Sequence, residues 1–173
     1  MRPKPPANYL AGYPIEVTEK VARLIASGTM PEWLLQKYPA PHTIRTDKAL
    51  YQYVVEIKGQ YLRKAGQLSK VVFDNKLHII HNALGVHSSK SLVQGGKLKA
   101  RQEIHISNLF REMPIEFLRM IVVHELAHIK ERQHDKAFYN LCQHMEPDYH
   151  MLEFHVRVYL SYLESGGEKL WLP

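Results

Sequence analysis

The chain has 173 residues, of which 45% are hydrophobic, and this size and composition favour a globular protein of one domain. Lysine and arginine outnumber the acids by 23 to 17, and a positive field favours anionic partners such as nucleotides, nucleic acid or acidic peptides. The single cysteine, Cys142, excludes an internal disulfide, and no apolar run is long enough to span a membrane. Because the N-terminus lacks the apolar segment of a signal peptide, we expect a cytoplasmic protein.

The first third of the chain is predicted to be helical after an irregular start. Residues 1–14 are rich in proline and glycine, which predicts an irregular N-terminal arm. Apolar residues at helical spacing then predict three helices, and Gly28 and Gly66 follow two of them as terminators. These helices are expected from Ile15 to Ser27, from Pro31 to Tyr38 and, with Thr46 and Asp47 as cap candidates, up to Gly66.

The apolar period changes to two from Lys70 onwards, which predicts strands. Lys97, Lys99 and Arg101 share one face of the last strand and are candidates for binding anionic substrate groups. An outer strand at this position could also pair with an extended peptide. The predicted strands are Val71–Phe73 and Leu77–Ile80, joined as a hairpin by Asp74 and Asn75, then a weak strand Ser89–Val93, and Lys97–Ser107.

Helices return in the last third, beginning at Pro114, at Asp135 or His134, and near Tyr149. Helices, a small mostly antiparallel sheet and further helices together make an α+β fold. We expect one domain over residues 15–165 and a loose C-terminal tail over 166–173.

The segment from Met120 to Ile129 contains the pattern His-Glu-x-x-His within an apolar helical run. His124 and His128 are four residues apart, so both imidazoles lie on one face of the helix and can reach one metal ion. Glu125 lies beside that ion and can accept a proton from water, which is the general-base role of this pattern. Zinc is the expected metal, with one ion per chain, because it suits imidazole ligands and an open fourth position.

A hydrolytic zinc site usually has a third protein ligand. His134 is the leading candidate, provided that the helix breaks between Ile129 and Gln133 and lets His134 turn back. Glu153 is the alternative, because glutamate on a later helix completes some two-histidine zinc sites. The acids expected to orient the ligand imidazoles are Asp135, Asp148 and Glu153.

Several segments resemble the YgjP-like metal-dependent hydrolases, which are zincin-type proteins grouped with metallopeptidase domains. The resemblance covers nearly the whole chain beyond the N-terminal arm. It implies a zincin-like fold and a zinc site at His124, His128 and His134, with Glu125 as the base. Peptidases with glycine three residues after the second histidine are not matched, because Glu131 stands there. The segments are MIVVHELAHIK at 120–130, QHDKAFY at 133–139, LCQHMEPDYHMLEF at 141–154, KALYQY at 48–53 and QGGKLKA at 94–100.

The chemistry of the expected site is compatible with two substrates. The zincin grouping implies peptide-bond hydrolysis, and assignment within the YgjP-like family implies a nucleoside triphosphate pyrophosphatase that acts on UTP. No glycine-rich phosphate loop of the Walker type occurs, so nucleotide binding would depend on side chains. A zinc-stabilised module that binds nucleic acid is a remote third alternative, because the basic residues are dispersed and Glu125 would have no role.

Overall fold

The computed structural model describes residues 7–77, 85–94 and 97–172, with side chains described over 7–77 and 102–172. The predicted α+β class is confirmed, because helices flank a small sheet on both sides in the sequence. None of the helices in these residues is long and apolar enough to cross a membrane. The elements in the described ranges are α1 Ile15–Ala26, α2 Met30–Lys37, α3 Asp47–Tyr61, β1 Leu68–Asp74, β2 Gly85–Gln94, β3 Lys97–Ser107, a 3-10 helix Asn108–Glu112, α4 Ile115–Ala127, α5 Lys136–Met145 and α6 Tyr149–Glu164.

The first three helices begin and end at residues that suit those positions. Gly28 has a φ of +73°, a left-handed conformation that glycine adopts without strain, and it follows the end of α1. The Thr46 hydroxyl accepts a hydrogen bond of 3.1 Å from the Ala49 N–H, so it caps α3 as predicted. Helix α3 ends at Tyr61, before the predicted Gly66, and the Lys58 ammonium then donates to the Ala65 carbonyl in the following turn.

Residues 7–14 form irregular turns that pack against α6. Tyr9 and Leu10 are buried, and the Arg157 guanidinium donates a hydrogen bond of 3.1 Å to the Tyr9 carbonyl. The rings of Tyr13 and Phe154 lie 5.2 Å apart. These contacts attach this part of the chain to the helix that lies behind the candidate site.

The sheet has the order β1-β3-β2 and is mixed. Strand β2 pairs antiparallel with β3, and β1 pairs parallel with β3. The prediction of a mostly antiparallel sheet is therefore wrong for β1. The hairpin predicted between Val71–Phe73 and Leu77–Ile80 stays a prediction. Leu77 lies outside any strand and the rest of the predicted partner, within residues 78–84, lies outside the described residues. Strand β3 carries Ile104 and Ile106, which are completely buried. Both residues can pack on the core when β3 lies at the centre of the sheet, and this is the physical reason why β1 pairs with β3.

Helix α4 lies at the centre of the core and contacts the sheet, α5 and α6. From Phe117 to Ala127 every residue is buried except Arg119 and His124, which are partly exposed. A helix that is apolar on nearly all sides must be enclosed on all sides. Its C-terminal end, where the His-Glu-x-x-His pattern lies, is consequently held by most of the domain.

Candidate metal centre

The end of α4 brings the first two histidines to the surface of the core. The helix ends at Ala127, and His128 is its C-terminal cap residue. A turn follows, in which the Glu131 N–H donates to the Ala127 carbonyl at 2.9 Å. The expected break in the helix is present, although it begins before Ile129. The Asp135 carboxylate then accepts from the Phe138 N–H at 3.0 Å and caps α5, so His134 lies between the turn and the next helix.

The structure brings the Nε2 atoms of the three histidines together. The distances are 3.2 Å from His128 to His124, 3.2 Å from His134 to His124 and 3.0 Å from His134 to His128. Two ligands at 2.0–2.1 Å from one tetrahedral ion are roughly 3.3 Å apart. Within the described ranges, these three residues form a group whose ligand atoms could hold a metal ion. The donor set fits a divalent ion that accepts imidazole ligands.

The three imidazoles share an apolar backing, and burial favours the neutral form of His124 and His128. The ring of Phe138 lies 4.6–4.9 Å from all three histidine rings. Burial, reinforced by the neighbouring His128, His134 and Arg157, holds the pKa of His124 well below its usual value. Burial also lowers the pKa of His128. Neutral imidazole is the form that binds metal, so the environment favours metal binding.

Glu125 is completely buried next to His124 in α4, with 1% of its surface exposed. Burial raises the pKa of its carboxyl to about 8. Its Oε2 atom has no hydrogen-bond partner within the described part of the chain. A buried carboxyl without a partner is costly, and a cation beside it would favour its charged form. This orphaned oxygen is a second observation that fits a metal ion at this place.

The outer nitrogens of two histidines have defined partners. The Nδ1 atom of His128 donates to the Glu131 carbonyl at 3.0 Å, because a carbonyl can only accept. The Nδ1 atom of His124 lies 2.7 Å from the hydroxyl oxygen of Tyr149. Glu131 and Tyr149 are contacts that the sequence analysis did not find. Tyr149 has the pattern of an ordinary core aromatic at the start of α6, so no sequence signal distinguishes it.

The acids expected to orient the imidazoles have other contacts. Asp135 caps α5, and Asp148 is exposed in the turn before α6. Glu153 accepts two hydrogen bonds from Arg157, at 2.9 and 3.2 Å, and is not one of the three converging residues. Local capping and ion pairing engage Asp135 and Glu153, and none of the three acids makes a hydrogen bond to these imidazoles among the described residues. The structure brings His134, the favoured third residue, to the pair instead of Glu153.

The three basic residues predicted to bind anions lie on β3. Lys97, Lys99 and Arg101 fall within its described backbone, but their side chains lie outside the described residues. Their proposed contact with substrate stays a prediction.

The YgjP-like family model, described as a metallopeptidase domain, matches residues 43–156. The chain belongs to the YgjP-like family. A UTP pyrophosphatase of Escherichia coli (strain K12) is 52% identical over 163 residues, which cover 94% of this chain and 98% of that protein. No solved structure matches the chain. The predicted family is confirmed, and the chain is a metal-dependent hydrolase.

Proposed function

We propose that this chain is a UTP pyrophosphatase that converts UTP and water into UMP and pyrophosphate, with one zinc ion per chain. The observation that carries this proposal is the Escherichia coli UTP pyrophosphatase, which shares 52% of its residues with this chain over almost the full length of both. Identity at that level over 163 residues includes the segment that contains all three histidines and Glu125. The geometry of the histidines supports a metal-assisted hydrolysis.

His124, His128 and His134 hold the ion through their Nε2 atoms in this proposal. Their mutual distances of 3.0–3.2 Å support this role, as do the lowered pKa values of His124 and His128. A divalent ion bound there lowers the pKa of water and stabilises negative charge on phosphoryl oxygens. Phe138 excludes water from the back of the group, which strengthens electrostatic interactions at the site.

Glu125 acts as the general base. It accepts one proton from the attacking water, whose oxygen forms a bond to the α-phosphorus of UTP. The bond from that phosphorus to the oxygen that bridges to the β-phosphorus breaks, and pyrophosphate leaves with this oxygen. The unpaired Oε2 of Glu125 supports this role, because it leaves an acceptor available for the proton.

The negative charge of the triphosphate needs cationic partners. The chain has a net charge of +6, and Lys97, Lys99 and Arg101 on β3 are our candidates for those partners. We place the activity in the cytoplasm, as predicted from the sequence.

The family's description as a metallopeptidase domain favours peptide-bond hydrolysis as a second candidate. The expected pairing of an extended peptide with Lys97–Ser107 is wrong along residues 102–106, because β1 and β2 occupy both edges of β3 there. Strand β2 is an edge strand of the described sheet and lies against α4, so a peptide would have to pair with β2. A non-enzymatic role in nucleic-acid binding has no support from the comparisons.

A side-by-side assay distinguishes the two substrates. Purified wild type, Glu125→Gln and Glu131→Gln would each be offered a panel of nucleoside triphosphates and a mixed peptide library, with release of pyrophosphate and of new amino termini as readouts. Glu125→Gln should keep its metal and lose about 10²–10⁴-fold in rate, the usual contribution of a general base. Glu131→Gln is the matched control, because only its backbone carbonyl contacts a histidine.

Release of UMP and pyrophosphate by the wild type, lost in Glu125→Gln and kept in Glu131→Gln, is the expected result. Cleavage of peptides without turnover of UTP would reject the pyrophosphatase and favour the peptidase. Equal turnover in wild type and Glu125→Gln would reject the role of Glu125 as base.

A further inference from the structure

Tyr149 is a completely buried residue at the first position of α6, and its hydroxyl oxygen lies 2.7 Å from Nδ1 of His124. The two rings run nearly parallel, with an angle of 22° between their planes and 6.3 Å between their centres. This is a short hydrogen bond in an enclosed place, where the loss of either partner leaves a polar atom unpaired.

The direction of this hydrogen bond decides whether His124 can bind a metal. A neutral imidazole carries one proton, on Nδ1 or on Nε2. If Tyr149 donated to Nδ1, the proton would lie on Nε2, which faces His128 and His134 at 3.2 Å and would then have no free lone pair for an ion. If Tyr149 accepts from Nδ1, the lone pair of Nε2 faces the other two histidines.

A second contact of Tyr149 is compatible with the accepting direction. The Cys142 thiol, also completely buried, lies beside the Tyr149 hydroxyl. The side chains of Cys142 and Tyr149 are hydrogen-bonded, and burial raises the pKa of the thiol to about 12. A thiol sulfur is a weak acceptor as well as a weak donor, so it can take the hydroxyl proton and leave the hydroxyl oxygen to accept from His124.

We propose that Tyr149 is a positioning residue that accepts the Nδ1 proton of His124 and thereby keeps Nε2 of His124 in the form that binds metal. This inference rests on the proposed metal site. His128 needs no such arrangement, because its partner is a backbone carbonyl that can only accept. A hydroxyl can donate or accept, so its role at His124 depends on its second partner.

The first test is the metal affinity of the full-length protein, measured by competition with a chelator for Zn²⁺. Tyr149→Phe removes the hydroxyl and keeps the ring, and it should weaken binding about 10–100-fold, the usual effect of losing the partner of a ligand imidazole. Tyr139→Phe is the matched control, because Tyr139 lies 6.3 Å from the Tyr149 ring and makes no hydrogen bond to the three histidines within the described residues. Its affinity should stay within about twofold of the wild type.

The second test detects the hydrogen bond between His124 and Tyr149 directly, from proton resonances of protein loaded with Co²⁺. Paramagnetic Co²⁺ shifts the Nδ1 proton resonances of ligand histidines outside the normal spectrum, where their exchange with water can be followed. The wild type should show two slowly exchanging signals, from His124 and His128, and a fast one from the exposed His134. Tyr149→Phe should show one slow signal.

Unchanged affinity in folded Tyr149→Phe, or a single slow signal in the wild type, would overturn the inference while leaving the metal site intact. The wild-type spectrum decides the question even if Tyr149→Phe does not fold. A wild type that binds neither Zn²⁺ nor Co²⁺ would instead refute the proposed metal site, so the two failures are distinguishable.

Discussion

His134 is the candidate ligand whose loss should affect metal binding alone. It is exposed between the turn after α4 and the start of α5, and its ring contacts Phe138 at 4.8 Å between centres. Because an exposed side chain contributes little to folding, His134→Ala should change the metal-free stability by less than about 0.5 kcal/mol. The effect should appear only when a metal is added.

The magnitude follows from the linkage between binding and folding. A free metal concentration of about 1,000 times the dissociation constant adds about 4 kcal/mol to the free energy of unfolding. For a chain of 173 residues this should raise the melting temperature by about 8–16 °C. Structural zinc sites have a binding free energy of about 10–16 kcal/mol from four ligands, or about 2.5–4 kcal/mol for each ligand. The loss of one ligand should therefore weaken metal binding roughly a hundredfold to a thousandfold. At the same metal concentration His134→Ala should keep only about 0.4–1.4 kcal/mol of stabilisation, or about 1–6 °C.

Thermal melts with chelator and with Zn²⁺ at one fixed free concentration would measure this difference. His144→Ala is the control, because His144 is exposed on α5 and its ring packs against Tyr61 at 5.5 Å, away from the other three histidines. It should show the full metal-dependent rise. A full rise in His134→Ala would show that His134 is not a ligand, and the three-histidine site would have to be abandoned.

Three further predictions concern stability. Burial lowers the pKa of His155 to about 4, and its Nδ1 lies 2.7 Å from the Tyr38 hydroxyl, so the folded protein binds fewer protons there than the unfolded chain does. The contribution of His155 to the free energy of unfolding should therefore be complete above about pH 6.5 and fall by up to roughly 3 kcal/mol towards pH 4. Urea unfolding of the metal-free protein should show a smaller fall in His155→Asn than in the wild type. An equal fall in the two proteins would contradict this. Gly28→Ala should cost about 1 kcal/mol in the same assay, because φ is +73° there, and a neutral result would mean that the turn relaxes. Arg157→Met should lower the free energy of unfolding by about 3 kcal/mol, because it leaves the Glu153 carboxylate buried and unpaired. Adding Glu153→Leu should recover most of that lost stability. If the double variant stays as unstable as Arg157→Met, the ion pair is not the cause.

Local patterns predicted the local features of this fold. Three such features follow from spacings within a few residues. They are Thr46 as a cap, Gly28 as a terminator, and the helix that carries His124 and has His128 as its cap. The parallel pairing of β1 with β3 did not follow, because strand pairing depends on contacts between residues about 30 positions apart, such as Val71 and Ile104.

The surroundings of the candidate site show the same limit. The helix ends at Ala127 without a glycine, in a turn where the Glu131 carbonyl meets the His128 ring, and nothing in the neighbouring residues signals that contact. The Tyr149 hydroxyl reaches His124 across 25 positions of sequence. A tyrosine with helical spacing is usually core, so the sequence offers no reason to single it out.

The burial of α4 has a consequence for how substrates diverge within such a family. A helix enclosed from Phe117 to Ala127 cannot shift or tilt without opening the core, so His124, Glu125 and His128 stay fixed relative to one another. New specificity must then arise in the segments that surround this rigid centre. The proposed metal centre is thus the part of this fold that is least able to change shape with the substrate.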